Sequence, residues 1–132
     1  MTIEDLGPLC VFAGHDERNA VLFAAEAQKQ TLRAGTGVVF GTFPPTCLAE
    51  SCNTGPNYQC DVDRTEPHTL VVHSRLSYRH KPGSVCTKGC RPVIAGCETE
   101  ALEAGKYTVR YGSREFALRV PSVLGKPCFG AK

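Results

Sequence analysis

The sequence predicts an all-β fold, an antiparallel β-sandwich stapled by disulfides. Short runs of β-branched and aromatic residues recur along the chain, separated by glycine and proline turns. The stretch 69–80 alternates apolar and polar residues with period two, the mark of a half-exposed strand. Eight cysteines, Cys10, Cys47, Cys52, Cys60, Cys86, Cys90, Cys97 and Cys128, form an even set in a small chain.

At 132 residues the chain reads as a single β-sandwich domain, 1–132. That is long enough to bury a core without cysteines to replace it. The net charge is +2, with acids and bases mixed along the chain. Nucleic-acid binding needs a concentrated basic surface, so it is not expected. No apolar run approaches the roughly 18 residues that span a membrane. Residues 1–5 are acidic and lack an apolar leader core, so export requires a leader removed ahead of Met1.

In chain order, residues 1–8 read as a polar lead-in closed by Gly7-Pro8, and 9–13 as the first strand. Residues 14–19 read as a polar turn. Residues 20–33 carry good helix formers, with Asn19 as a candidate N-cap. Consistency with the rest of the chain favours strands at 20–25 and 29–32. Residues 34–37 turn, and 38–43 form a buried strand that Pro44-Pro45 stops. Residues 46–60 have turn chemistry throughout and read as a loop closed on itself.

Residues 60–63 and 69–80 read as a hairpin turning at 64–68. In its second arm Leu70, Val72, Leu76 and Tyr78 share a side with Ser74 as the exception, and Val71, His73, Arg75, Ser77 and Arg79 share the other. Residues 81–84 break the strand, and Val93-Ile94-Ala95 reads as a short buried strand before Cys97. A last hairpin spans 105–111 and 115–120, turning at 112–114. Tyr107, Val109 and Tyr111 share one face of it, as do Phe116, Leu118 and Val120. Pro121 ends the second arm, and the tail carries Cys128. About seven short strands with these turns point to the sandwich.

The run Phe43-Pro44-Pro45-Thr46-Cys47, then Cys52 and Cys60, opens a pattern. It continues with Cys86-Thr87-Lys88-Gly89-Cys90 and Ile94-Ala95-Gly96-Cys97-Glu98-Thr99-Glu100, and closes with Leu102-Glu103-Ala104-Gly105-Lys106-Tyr107-Thr108-Val109. Over about residues 38–121 the chain resembles uncharacterised exported bacterial proteins, often lipoproteins, with an immunoglobulin-like sandwich. The resemblance implies export to the cell envelope and an immunoglobulin-like fold. It implies no activity and no catalytic residues.

Two chemistries compete for the cysteines. As disulfides, Cys10 and Cys128 would close the largest loop, worth about 4–5 kcal/mol in the loop-entropy account. Cys52–Cys60 or Cys86–Cys90 would stiffen loops, and Cys47–Cys97 would join the two cysteine-rich segments. As zinc ligands, Cys86 with Cys90 and Cys47 with Cys52 fall in the broad knuckle range, with Cys60, Cys97, His73 and His80 to complete sites. The tighter Cys-x2-Cys knuckle is absent, so disulfides are preferred and no metal or other cofactor is expected.

No nucleophile elbow, zinc-protease motif, phosphate loop or dinucleotide fingerprint occurs. His15-Asp16 in a turn, and His73 with Ser77, read as ordinary surface pairs, and an enzyme is not expected. Asp61 and Asp63 share a strand face. They read as a solvated pair balanced by Arg64 rather than as calcium ligands. His73, Arg75 and Arg79, with Arg110 and Arg119 on the last hairpin, would form a basic stripe for an anionic ligand if the strands share a sheet. A solvated face with Glu115 interleaved is the plainer reading. The segments 44–52 and 88–91 are candidate inhibitory loops for a protease, with Lys88 or Arg91 suited to a trypsin-like pocket. The expectation is an exported, disulfide-stabilised binding or structural domain whose partner is a protein or an envelope polymer. A zinc-bearing β domain or a rigid protease inhibitor is the alternative.

Overall fold

The computed structural model describes residues 2–13, 30–44, 47–48, 53–80, 91–92 and 94–129. Every regular element among them is a strand: β1 (Thr2–Glu4), β2 (Leu9–Phe12), β3 (Gln30–Leu32), β4 (Val39–Thr42), β5 (Cys47–Leu48), β6 (Asn53–Glu66), β7 (Thr69–His80), β8 (Arg91–Pro92), β9 (Ala95–Glu98), β10 (Gly105–Tyr111), β11 (Arg114–Val120), β12 (Ser122–Leu124) and β13 (Cys128–Phe129).

β7 is the spine of a five-stranded sheet. β6 pairs antiparallel along one edge of it. The other edge is shared end to end. β10 runs parallel to residues 69–72 of β7, and β1 runs antiparallel to residues 75–77. β11 pairs with the outer side of β10. A second sheet is antiparallel, in the order β13-β2-β4-β9, and β12-β3 and β5-β8 form two short ladders.

The two larger sheets share one core. Period-two alternation turns Leu70 and Val72 of β7, Tyr107, Val109 and Tyr111 of β10, and Leu118 and Val120 of β11 inward. They meet Leu9 and Val11 of β2 and Val38 and Phe40 at β4. Each large apolar side chain so buried is worth about 1.5–3 kcal/mol. β2 and β4 are buried at every position. Their far face is covered too, where Cys10, Phe12 and Val39 pack with Phe43 and Cys128. A strand covered on both faces shows no alternation, which is why these two read as continuous apolar runs.

β10 and β11 join through a two-residue turn, with Tyr111 opposite Arg114. Gly112 takes φ 63° at its first central position, as a primed hairpin turn requires. A Cβ there would stand 3.0 Å from the Asp5 carbonyl oxygen. Gly7, at φ 88°, passes so close to Phe43 that a Cβ would overlap its carbonyl oxygen. Glycine is required at both positions.

Two disulfides lie among the described residues. Cys10 on β2 faces Cys128 on β13 across the ladder, tying positions 118 residues apart. Cys60 on β6 bonds Cys97 on β9 and so joins the edges of the two larger sheets. The end-to-end link is the one that loop closure favours. Cys52–Cys60 and Cys47–Cys97 are overturned, because Cys60 and Cys97 bond each other. With those two oxidised, neither completes a zinc site. Cys52, Cys86, Cys90, His15 and Asp16 lie outside the described residues, as do 45–46, 49–52 and 88–90 of the expected inhibitory loops.

Other expectations shift. The polar lead-in contains β1. It pairs because Thr2 to Glu4 meet the part of β7 that β10 leaves open. The expected loop 46–60 is strand from Asn53 onward, with a register shift between Thr54 and Asn57 that accommodates Gly55-Pro56. The hairpin turns at residues 67–68, inside the expected 64–68. The short strand near Cys97 runs from Ala95 to Glu98. Of residues 20–33, only 30–33 are described, and Gln30–Leu32 form the strand β3.

Candidate functional site

The outward face of the five-stranded sheet carries most of the residues expected to bind. Register places Gln59 opposite Arg75, Asp61 opposite His73 and Asp63 opposite Val71. On the far side of β7, Glu4 stands opposite Arg75 and Arg110 beside Val71. His73, Arg75 and Arg110 therefore do share a surface, and carboxylates share it with them. Arg75 Nε lies 3.7 Å from Glu4 Oε1, Arg110 Nε 2.9 Å from Glu115 Oε1, and His73 Nδ1 3.4 Å from Asp5 Oδ2. Arg79 sits at the far end, opposite Thr54, and Arg119 lies across β10–β11, opposite Lys106. The strands share one sheet, so alternation sets all five residues on its outward face. The face is mixed, with Glu115 interleaved.

Asp61 and Asp63 share this face as alternation requires. Arg64, one residue on, turns to the other side of β6. It reaches Glu103 at 3.2 Å, donates to the Pro67 carbonyl at 2.8 Å and lies 5.9 Å from the Tyr107 ring centre. It therefore does not balance the aspartates. No cluster of metal-ligating side chains occurs among the described residues. His73 faces Asp5 and not Ser77.

Asp5 was hidden in the lead-in. It adopts φ 51°, unusual for a side-chain-bearing residue. Its Oδ1 accepts the Ser74 N–H at 2.8 Å, and its own N–H donates to the Ser74 carbonyl at 3.1 Å. Arg114 donates to the Gly7 carbonyl at 2.8 Å and lies 5.0 Å from the Tyr111 ring centre. Together they clamp β1 where β10 leaves β7.

Beneath this clamp, buried hydroxyls run through the core. Ser74 Oγ lies 2.6 Å from Tyr111 Oη, and Tyr111 donates to the Leu6 carbonyl at 3.2 Å. Tyr111 has one proton, so Ser74 donates to it. Thr42 Oγ1 donates to the Ala95 carbonyl at 3.2 Å, and Tyr58 then donates to Thr42 at 2.6 Å. Burial pushes the Tyr58 phenol up to about 12, and burial also raises Tyr111. No buried side-chain polar atom among the described residues lacks a partner. The sequence signal for this chain was Ser74, a hydroxyl at an apolar position of an alternating strand.

Two clefts flank β6. The outer one, about 490 Å3, is lined by Glu4, Asp5, Asp61, Asp63, His73 and Arg75, among others. The inner one, also about 490 Å3, opens between β6 and the segment after β9. Val62, Leu70 and Leu102 give it apolar surface, and Asp63, Arg64, Glu98 and Glu100 line it with charge. Both volumes fall within the span of small-ligand sites. Comparison with protein-family models, with curated proteins and with solved structures found no match.

Proposed function

We propose that this chain is a non-catalytic binding or structural domain that works outside the reducing cytosol, in the bacterial cell envelope. Its two facing sheets would correspond to an immunoglobulin-like sandwich. The observation that carries the reading is the pair of disulfides, Cys10–Cys128 and Cys60–Cys97. Such bonds persist in oxidising compartments and are reduced in the cytosol. An exported envelope protein, the class that the sequence pattern resembles, would work in that compartment. The exposed sheet face, with its paired charges and flanking clefts, supports recognition of a partner.

Peptide mapping without reductant tests the reading, on protein isolated from the cells that make it. Linked peptides joining Cys10 to Cys128 and Cys60 to Cys97 are expected. Alkylation of those four cysteines in the native protein without reduction would overturn it.

A further inference from the structure

We infer that the inner cleft, between β6 and the chain that follows β9, binds a small aliphatic diamine. The inference rests on the binding reading above and names its ligand class. The cleft holds about 490 Å3, within the span of small-ligand sites. Val62, Asp63 and Arg64 of β6 form one wall. Glu98, at the end of β9, forms the other with Thr99 and Glu100, and Leu70 and Leu102 complete the lining. The Cys60–Cys97 bond ties β6 to β9 beside the cleft. It holds the two walls at a set spacing, so little ordering is needed when a ligand enters.

The lining selects the ligand. Arg64 is already engaged, donating to the Pro67 carbonyl at 2.8 Å and to Glu103 at 3.2 Å. The Thr99 hydroxyl accepts the Val38 N–H at 3.0 Å and donates to the Glu100 carbonyl at 2.7 Å. Asp63, Glu98 and Glu100 form no ion pair among the described residues. Carboxylates are thus the polar groups left to meet a ligand, and they stand on both walls. Charge complementarity selects a cation. Those side chains do not converge as metal ligands. A diamine fits instead. Its two ammonium groups can reach a carboxylate on each wall, and its methylene stem can lie along Val62, Leu70 and Leu102.

Isothermal titration calorimetry at low ionic strength tests this, using the intact oxidised chain and cadaverine as the probe. Saturable binding is expected. Pentanediol, which lacks the charges, and methylammonium, which lacks the stem, should each bind about tenfold more weakly or worse. Replacing Glu98→Gln with Glu100→Gln, both exposed, should weaken cadaverine binding by about three- to thirtyfold. Asp61→Asn, which lines the outer cleft and not the inner one, should leave it unchanged. Absence of cadaverine binding, methylammonium binding of equal strength, or an equal loss in Asp61→Asn would overturn the inference. Disulfide mapping is independent of these outcomes, so either reading can fail alone.

Discussion

Ser74 and Tyr111 share a 2.6 Å hydrogen bond inside the core, between β7 and the end of β10 that runs beside it. Ser74 fills an inward position of an otherwise apolar row, 5% exposed, and its hydroxyl has a partner there. An unpartnered hydroxyl at such a site costs about 1–3 kcal/mol, whereas a matched pair is close to neutral. Ser74→Ala is expected to destabilise by about 1–2 kcal/mol in urea unfolding. Adding Tyr111→Phe should cost less than the sum of the single changes, because the two groups satisfy each other. Additive losses would show that the bond is not made.

The alkaline limb of stability should report Tyr58. Its phenol is raised from 10.0 to about 12 by burial. The folded state therefore keeps a proton that the unfolded chain releases. Stability is full below pH 10 and falls as pH rises from 10 toward 12. The full shift corresponds to about 2.7 kcal/mol, and screening around a half-buried ring reduces it to about 1–2 kcal/mol. Tyr58→Phe should flatten that part of a chemical-denaturation profile against pH. An unchanged slope would place the ring in water.

The two disulfides should differ in worth. In the loop-entropy account, a closure over 118 residues contributes about 5 kcal/mol and one over 37 residues about 4 kcal/mol. Cys10→Ala with Cys128→Ala is therefore expected to lower stability more than Cys60→Ala with Cys97→Ala. Denaturant midpoints of the two double variants decide the order.

Asp5 combines a left-handed backbone with a side chain that holds the Ser74 N–H. Asp5→Ala loses the acceptor and places a Cβ residue without local hydrogen bonding at φ 51°, a cost of about 1–3 kcal/mol. Asp5→Asn keeps an acceptor and tolerates that conformation, and should cost less than half as much. Hydrogen exchange at Ser74 should rise in the first variant and change little in the second.

Much of the fold was legible because burial imposes local patterns. The alternation of β7 and the faces of β10 and β11 are written in their own residues, and Pro121 ends β11 as expected. β1 was not legible. Its three residues pair only because β10 stops short of the far end of β7, and nothing within Thr2 to Glu4 records that vacancy in the ladder. The first half of β6 was hidden for a related reason. Asn53 to Gln59 have turn chemistry, and their strand form follows from partners on β7.

The candidate site divides the same way. The positions of His73, Arg75 and Arg110 on one face follow from period two, a property of the chain. Their pairing with Asp5, Glu4 and Glu115 depends on register and strand order. The residues of the chain, taken alone, set the strand-rich class, the inward and outward faces of its best strands, and the sense in linking Cys10 to Cys128. The meeting of Cys60 with Cys97 and the carboxylates beside Arg75 and Arg110 come from the tertiary arrangement. Those outcomes follow from which strands become neighbours, and that choice is made by packing between residues far apart in the chain.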